Sequence, residues 1–168
     1  LISQRCNRRT GSLVLSERPA GARRTPLFIE LLQRNADYRP EDCAVVFGDT
    51  RLSNAELLDR AGRCARALIT LGVRPGERVG LLLENSPEFL VAFFGTAACR
   101  AVAVPLNLEL KPDELVFYLG DAGVRCLLVD PARVELARQV TAGLPQPCEI
   151  IVNGPAVPGT HSLPELLA

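Results

Sequence analysis

Residues 78–105 of the sequence are RVGLLLENSPEFLVAFFGTAACRAVAVP. The stretch begins with the apolar run Val79–Leu83 and ends with a second apolar run, Ala101–Val104. Between them, Ser86 and Pro87 suit the N-cap and first position of a helix, and Phe89–Cys99 contains no charged side chain. Strands of a parallel sheet covered on both faces are continuously apolar, and a helix usually joins them. The stretch therefore predicts a strand–helix–strand unit whose helix is covered on most sides.

The same alternation continues in both directions along the chain. Upstream, a helix is expected from Leu27 and a strand at Ala44–Phe47, which turns at Gly48. Downstream, the expected elements are helices at Pro112–Leu119 and Pro131–Leu144 and strands at Cys126–Val129 and Glu149–Val152, the last strand. Alternating strands and helices predict an α/β fold in three layers, with a mostly parallel sheet and helices on both faces.

One further helix has unusually complete end signals. Ser53 and Glu56 form a capping box, Leu52 and Leu57 form a hydrophobic staple, and Gly72 suits the position after the helix. An apolar stripe follows at helical spacing: Leu57, Ala61, Cys64, Ala65 and Leu68. Three arginines lie off this stripe, and we interpret them as a solvated face: Arg60, Arg63 and Arg66.

The zero net charge of the 168 residues conceals two unlike parts. Residues 1–24 carry six arginines and one glutamate, a net charge of +5, and the remainder carries −5. We interpret residues 1–24 as an arginine-rich flexible tail and residues 25–168 as the folded domain. The tail could be an organellar transit peptide, a flexible arm or a non-native leader. No aromatic residues are interleaved with its arginines, which argues against a nucleic-acid partner.

Scarce residue types exclude several chemistries. Lys111 is the one lysine, and it stands before Pro112 rather than in a phosphate-binding Gly-Lys-Ser/Thr loop or an apolar pocket suited to a Schiff base. His161 is the one histidine, in a loop-like stretch, and the chain has no Gly-x-Ser-x-Gly elbow. We interpret Lys111 as a solvated turn residue. No residue is assigned as catalytic, cofactor-binding or metal-ligating.

Six cysteines are scattered without a C-x-x-C pair: Cys6, Cys43, Cys64, Cys99, Cys126 and Cys148. Most lie in apolar stretches, which predicts reduced thiols and a cytoplasmic location. Neither a transmembrane segment nor a secretory signal is evident. Because the sequence contains no methionine and begins with leucine, we expect it to be part of a longer product.

Several segments, in order, resemble the adenylate-forming (AMP-binding) ligases, the superfamily of acyl-CoA synthetases, luciferases and peptide-synthetase adenylation domains. They are LSNAEL at residues 52–57, LGVRPGERV at 71–79, ENSPEF at 84–89, AVAVPLN at 101–107 and DAG at 121–123 followed by LLV at 127–129. The resemblance covers about Leu27 to Val152. It implies the N-terminal portion of an enzyme whose carboxylic acid substrate attacks the α-phosphate of ATP and then passes to a thiol, usually that of coenzyme A.

The sequence departs from this family in two ways. Arg100 occupies a position that is normally glycine, where a positive φ or close packing would be allowed, and we expect only local weakening of packing there. In addition, no stretch matches the family's Ser/Thr/Gly-rich phosphate loop, adenosine-binding segment, hinge or C-terminal lysine. The resemblance therefore implies ATP, Mg²⁺ and coenzyme A for an intact parent enzyme, and none of them for this chain.

We therefore expect an N-terminal fragment of an acyl-CoA synthetase, inactive by itself, whose partner is the remainder of the parent chain. Asn107 favours an acyl-CoA synthetase over a peptide-synthetase adenylation domain, which stays an alternative. A third interpretation is a non-catalytic α/β binding or scaffolding module. Half a sheet would expose strand edges and apolar faces, so dye binding or aggregation would favour the fragment. The resemblance suggests fatty acid metabolism, but fatty, aryl and short-chain acids all fit it.

Overall fold

The computed structural model of the protein describes residues 28–168. The helices are α1 (Phe28–Tyr38), α2 (Asn54–Thr70), α3 (Pro87–Ala98), α4 (Pro112–Ala122), α5 (Val134–Ala142) and α6 (Leu163–Leu167). The strands are β1 (Cys43–Phe47), β2 (Thr50–Ser53), β3 (Arg78–Leu82), β4 (Val102–Pro105), β5 (Val124–Val129), β6 (Glu149–Val152) and β7 (His161–Ser162). The predicted tail, residues 1–24, lies outside the described residues.

Five strands form one parallel sheet in the order β4-β3-β5-β6-β7. Strands β1 and β2 form a separate antiparallel hairpin. The α/β class and the parallel sheet predicted from the apolar runs are confirmed.

Side chains of the parallel sheet alternate between two cores. On the first face, Val79, Leu81 and Leu128 are buried with the stripe of α2 and residues of α1, α3 and α6. On the second face, Leu82 and Leu127 are buried with residues of α4 and α5. Two helical layers with the sheet between them give the three layers that the sequence predicts.

The helix ends follow the local sequence. Ser53 Oγ accepts a hydrogen bond from the Glu56 N–H at 3.2 Å, and Glu56 Oε2 accepts one from the Ser53 N–H at 2.8 Å, so the capping box is formed. Leu52 and Leu57 are both buried. Ser86 caps α3, and Pro87 occupies its first turn. Gly72 adopts a φ of 86° just after α2.

Several element predictions need correction. Glu149–Val152 is not the last strand, because β7 and α6 follow it, and His161 lies in β7 rather than in a loop. The helix predicted for Pro131–Leu144 begins as a 3₁₀ turn at Pro131–Arg133. The apolar strand at Ala101–Val104 is an edge strand, and Val102 is 49% exposed. Length and hydrophobicity do not reveal which strand will lie at an edge.

The described part of the chain contains no helix with the length and apolar character needed to span a membrane.

Candidate functional site

The topology of the sheet creates one crevice. The connection from β3 to β4 runs through α3 on the first face, whereas the connection from β5 to β6 runs through α5 on the second face. Because β3 and β5 are neighbours, the connections that follow their paired carboxyl ends lead to opposite faces of the sheet. Ligands of open α/β sheets bind at such switch points. A site in this fold is therefore expected among the residues that follow β3 and β5.

Asp130, which follows β5, lies at this crevice. Its Oδ2 accepts a hydrogen bond from the Glu84 N–H at 2.7 Å, and its Oδ1 accepts one from Asn153 Nδ2 at 3.3 Å. The Asn153 N–H donates to the Val129 carbonyl at 2.8 Å. Arg133 Nη1 lies 3.5 Å from Glu84 Oε1. These contacts tie together the loops that follow β3, β5 and β6.

The charge of this crevice does not suit a nucleotide. Asp130 and Glu84 place two carboxylates there, and the guanidinium of Arg133 is already paired with Glu84. Phosphates require converging N–H donors and cations, and carboxylates repel them. The residues present do not fit ATP or the phosphates of coenzyme A. No group of three or more His, Cys, Asp or Glu side chains with the placement to hold Mg²⁺ occurs in residues 28–168.

Lys111 and His161 lie in different parts of the fold. Lys111 is exposed at the start of α4, and its N–H donates to Glu114 Oε2 at 2.8 Å. His161 is half-buried, with Nε2 3.3 Å from Glu149 Oε2 of the neighbouring strand. Neither residue lies beside a nucleophile in these contacts. The His161 side chain thus links β7 to β6, and Lys111 contributes its backbone N–H at the start of α4.

The arginines of α2 include one residue with a structural contact that the helical pattern did not predict. Arg63 forms an ion pair with Asp59 at 2.9 Å, and its Nη1 donates to the carbonyls of Leu167 and Ala168. These carbonyls lie at the C-terminal end of α6, where cationic side chains commonly bind. Arg66 is exposed and Arg60 is half-exposed, as expected of a solvated face.

Residues of the motifs that resemble the family form turns and caps. Asn107 Oδ1 accepts a hydrogen bond from the Glu109 N–H at 3.0 Å, which is an Asx turn. An aspartate would form the same turn, so the Asn107 side chain gives no physical reason to prefer one ligase class. Arg100 adopts a φ of 64°, the one positive φ of a non-glycine residue in the described range. The expected glycine-like backbone is present without the glycine.

The buried cysteines are poor nucleophiles. Burial raises the pKa of Cys64 and of Cys126 to about 12, and burial likewise raises the pKa of Cys99. Burial also raises the pKa of the half-buried Cys148 to about 12. A thiol with so high a pKa carries little thiolate at neutral pH. The five described cysteines are free thiols, and Cys6 lies outside the described residues.

A shallow pocket of about 360 Å³ lies between α5 and the loop after β6. The side chain of Arg138 lines it, but Nη1 of this arginine is bound to Glu135 Oε1 and Nη2 to the Pro158 carbonyl. Several proline rings complete the lining, from Pro131, Pro155 and Pro158. The pocket offers a ligand a mainly apolar wall and an arginine that is already engaged.

Sequence reasoning overlooked Asp130. The available signal was an acidic residue directly after a buried strand, Cys126–Val129, of a predicted parallel sheet. Only the strand order shows that this position is the switch point, and only the tertiary structure shows that Asp130 bridges the loops there.

Comparison with known proteins identifies relatives. The family model described as AMP-binding enzyme matches residues 32–165. A feruloyl-CoA synthase from Amycolatopsis sp. is 40% identical over 110 residues, which are 66% of this chain and 22% of that protein. One polypeptide of the linear gramicidin synthase from Brevibacillus parabrevis is 36% identical over 116 residues, 69% of this chain and 2% of that protein.

Solved structures agree with the sequence comparison. The anthranilate CoA ligase AuaEII, crystallised in complex with anthranoyl-AMP, superposes with a TM-score of 0.79 at 31% identity. The match covers 85% of this chain and 28% of that chain. This chain thus spans less than a third of the length of the feruloyl-CoA synthase and of the anthranilate CoA ligase.

Proposed function

The chain belongs to the family of AMP-binding enzymes, and we propose on that basis that it is the N-terminal part of an ATP-dependent carboxylic acid–CoA ligase. In such an enzyme a carboxylate oxygen attacks the α-phosphate of ATP, and pyrophosphate leaves. The thiol of coenzyme A then attacks the acyl carbon of the adenylate, and AMP leaves. The observation that supports this proposal is the superposition on a CoA ligase over 85% of the chain.

The role of this segment in the proposed enzyme is structural. At its switch-point crevice Asp130 accepts hydrogen bonds from Glu84 and Asn153, and the guanidinium of Arg133 is paired with Glu84. Pentavalent phosphorus in the transition state needs cations and preorganised donors, which this crevice does not supply. The groups that bind ATP, Mg²⁺ and coenzyme A would therefore come from the rest of the enzyme, and the segment would support them.

Pyrophosphate exchange tests this proposal directly. The purified 168-residue chain should show no acid-dependent exchange of labelled pyrophosphate into ATP with any aromatic or fatty acid. A chimera in which residues 32–165 replace the matching part of the anthranilate CoA ligase should retain anthranilate-dependent exchange and anthraniloyl-CoA formation. A folded chimera without exchange would refute the proposed role, and exchange by the isolated chain would refute the assignment of catalysis to the missing part.

A peptide-synthetase adenylation domain is the second candidate, and the match to the gramicidin synthase supports it. Both classes form the same adenylate, so the distinction lies in the thiol that accepts the acyl group. An assay of acyl transfer with a longer expressed product of the gene would distinguish the two classes. Acyl transfer to free coenzyme A supports the CoA ligase, whereas transfer to a carrier-protein thiol supports the synthetase.

The third candidate, a scaffolding module without catalysis, predicts a closed surface. Cooperative unfolding of a monomer without binding of the dye ANS would support it. The exposed aromatic side chains of α4, Phe117 and Tyr118, argue for the fragment instead.

We also propose a cytoplasmic location and a role in fatty acid metabolism for the enzyme. A panel of acids from aryl to long-chain in the pyrophosphate exchange assay tests the role in fatty acid metabolism.

A further inference from the structure

The second face of the sheet is covered unevenly. Over β3 and β5 it is closed by α4 and α5, and Leu82, Leu115 and Leu127 are buried there. At β4, Val102 pairs with Arg78 and Val104 with Gly80, so these two valines share the second face with Gly80 and Leu82. Val102 is 49% exposed, and Val104 is only half-buried. The helical layer therefore stops short of the edge strand.

The flank of α4 beside this gap is aromatic. A Cβ placed on Gly143, which follows α5, would lie 3.5 Å from Cγ1 of Val116, so the Val116 side of α4 faces α5. Tyr118 is two residues further along the helix and thus about 200° around it. It lies on the flank away from α5, which is the β4 side, and it is 50% exposed. Its ring makes an edge contact with that of Phe117, with centroids 5.7 Å apart.

We propose that Val102, Val104, Phe117 and Tyr118 form a docking face for the part of the AMP-binding polypeptide that follows this segment. This inference rests on the proposed function. The anthranilate CoA ligase is 28% covered by this chain, which leaves most of such an enzyme to pack against it. An apolar segment of that remainder lies beside α4 on the second face and closes the core over β4.

The charge and the edge of this face disfavour a second copy of the chain as the occupant. Residues 25–168 carry a net charge of −5, and α4 bears Asp113, Glu114 and Asp121 close to the aromatic pair in the sequence, so two such faces repel each other. Pro105 ends β4 and has no N–H to give to another strand. Edge-to-edge pairing of two copies of β4 therefore lacks a hydrogen bond at that position.

Glutamate substitutions in the isolated chain and in the chimera test the docking face. Tyr118→Glu and Val102→Glu should each leave the unfolding midpoint of the 168-residue chain nearly unchanged and should lower its ANS fluorescence, because both side chains contact water there. In the chimera with the anthranilate CoA ligase, the same substitutions should abolish the folded, soluble enzyme, because each would bury an unpaired carboxylate. Ile69→Glu is the control, at an apolar α2 residue that is 44% exposed and outside the face.

The outcomes separate this inference from the proposed function. Hydrogen exchange of the parent chimera should show slower exchange in β4 and α4 than the isolated chain does. A chimera that tolerates both glutamates, or that leaves β4 and α4 as accessible as in the chain, overturns the docking face even if the enzyme is active. A chimera that is inactive but protects β4 and α4 overturns the proposed function and retains the face. Unchanged ANS fluorescence in the two chain variants also counts against the face.

Discussion

Arg100 offers the sharpest test of the local structure. It follows α3 with φ at 64°, in the left-handed region that favours glycine. Its N–H donates to the Ala97 carbonyl at 3.0 Å, and the next N–H, of Ala101, donates to the Thr96 carbonyl at 3.0 Å. This pair of hydrogen bonds is a Schellman motif. Replacement of Arg100 by glycine keeps both hydrogen bonds and relieves the backbone strain.

The magnitude follows from two opposing effects. A left-handed conformation costs a residue with a Cβ about 1–2 kcal/mol. Glycine loses more backbone entropy on folding, which opposes the gain by roughly 0.5–1 kcal/mol. The side chain of Arg100 is exposed, so its removal changes little else. Arg100→Gly should therefore stabilise the chain by about 1 kcal/mol, which raises the melting temperature by roughly 2–4 °C.

A second Schellman motif in the same chain provides the matched control. Gly72 follows α2 with φ at 86°, and the N–H groups of Gly72 and Val73 donate to the carbonyls of Ile69 and Leu68, both at 3.0 Å. Gly72→Ala should lower the stability by about 1 kcal/mol because it introduces the strain that Arg100→Gly removes. Arg100→Ala should have little effect, since it removes the side chain and keeps the Cβ.

Urea unfolding of the four proteins, followed by circular dichroism, measures these differences. If Arg100→Gly is neutral or destabilising while Gly72→Ala is destabilising, backbone strain at Arg100 does not control the stability of this turn. If Arg100→Ala stabilises as much as Arg100→Gly does, the arginine side chain and not its φ carries the cost. Either result would refute the reasoning.

The remaining predictions concern packing, capping and pH. Gly95→Ala should destabilise by about 1–3 kcal/mol in urea unfolding, because its Cβ would lie 2.6 Å from the Cys64 Cβ. Gly62→Ala, with 3.7 Å to its nearest neighbour, should stabilise by up to about 1 kcal/mol; equal effects of the two would contradict the close helix contact. Ser53→Ala should cost about 1 kcal/mol and fray the start of α2 in hydrogen exchange. Burial raises the pKa of Cys126 from 9.0 to about 12. The buried neutral thiol therefore makes its full contribution to the free energy of unfolding below pH 9, and this contribution is lost as the pH rises toward 12. Unfolding free energy should fall by up to about 1.4 kcal/mol per pH unit for this thiol, and Cys126→Ala should reduce that slope.

The local sequence predicted the helix ends best where nearby residues of the chain form the hydrogen bonds of the terminal backbone N–H and C=O groups. Ser53 with Glu56 predicted the start of α2, and Gly72 predicted its end, because capping involves atoms only a few residues apart. Strand β7 escaped prediction because it has two residues, and its pairing with β6 is what makes His161 part of a strand. Strand β2 escaped because its pattern is too short to distinguish from the turn at Gly48.

By itself, the sequence determined the α/β class, both ends of α2, the start of α3 and the family, because capping, periodic burial and ordered motifs are local properties of the chain. The Ala101–Val104 run shows the limit of that reasoning: it is as apolar as β3, yet strand order makes it an edge strand with Val102 half in water. Only the tertiary structure decided that Asp130 bridges the loops at the switch point and that Tyr118 is half-exposed on α4. Both depend on which distant segments become neighbours, and that is set by packing of the whole sheet.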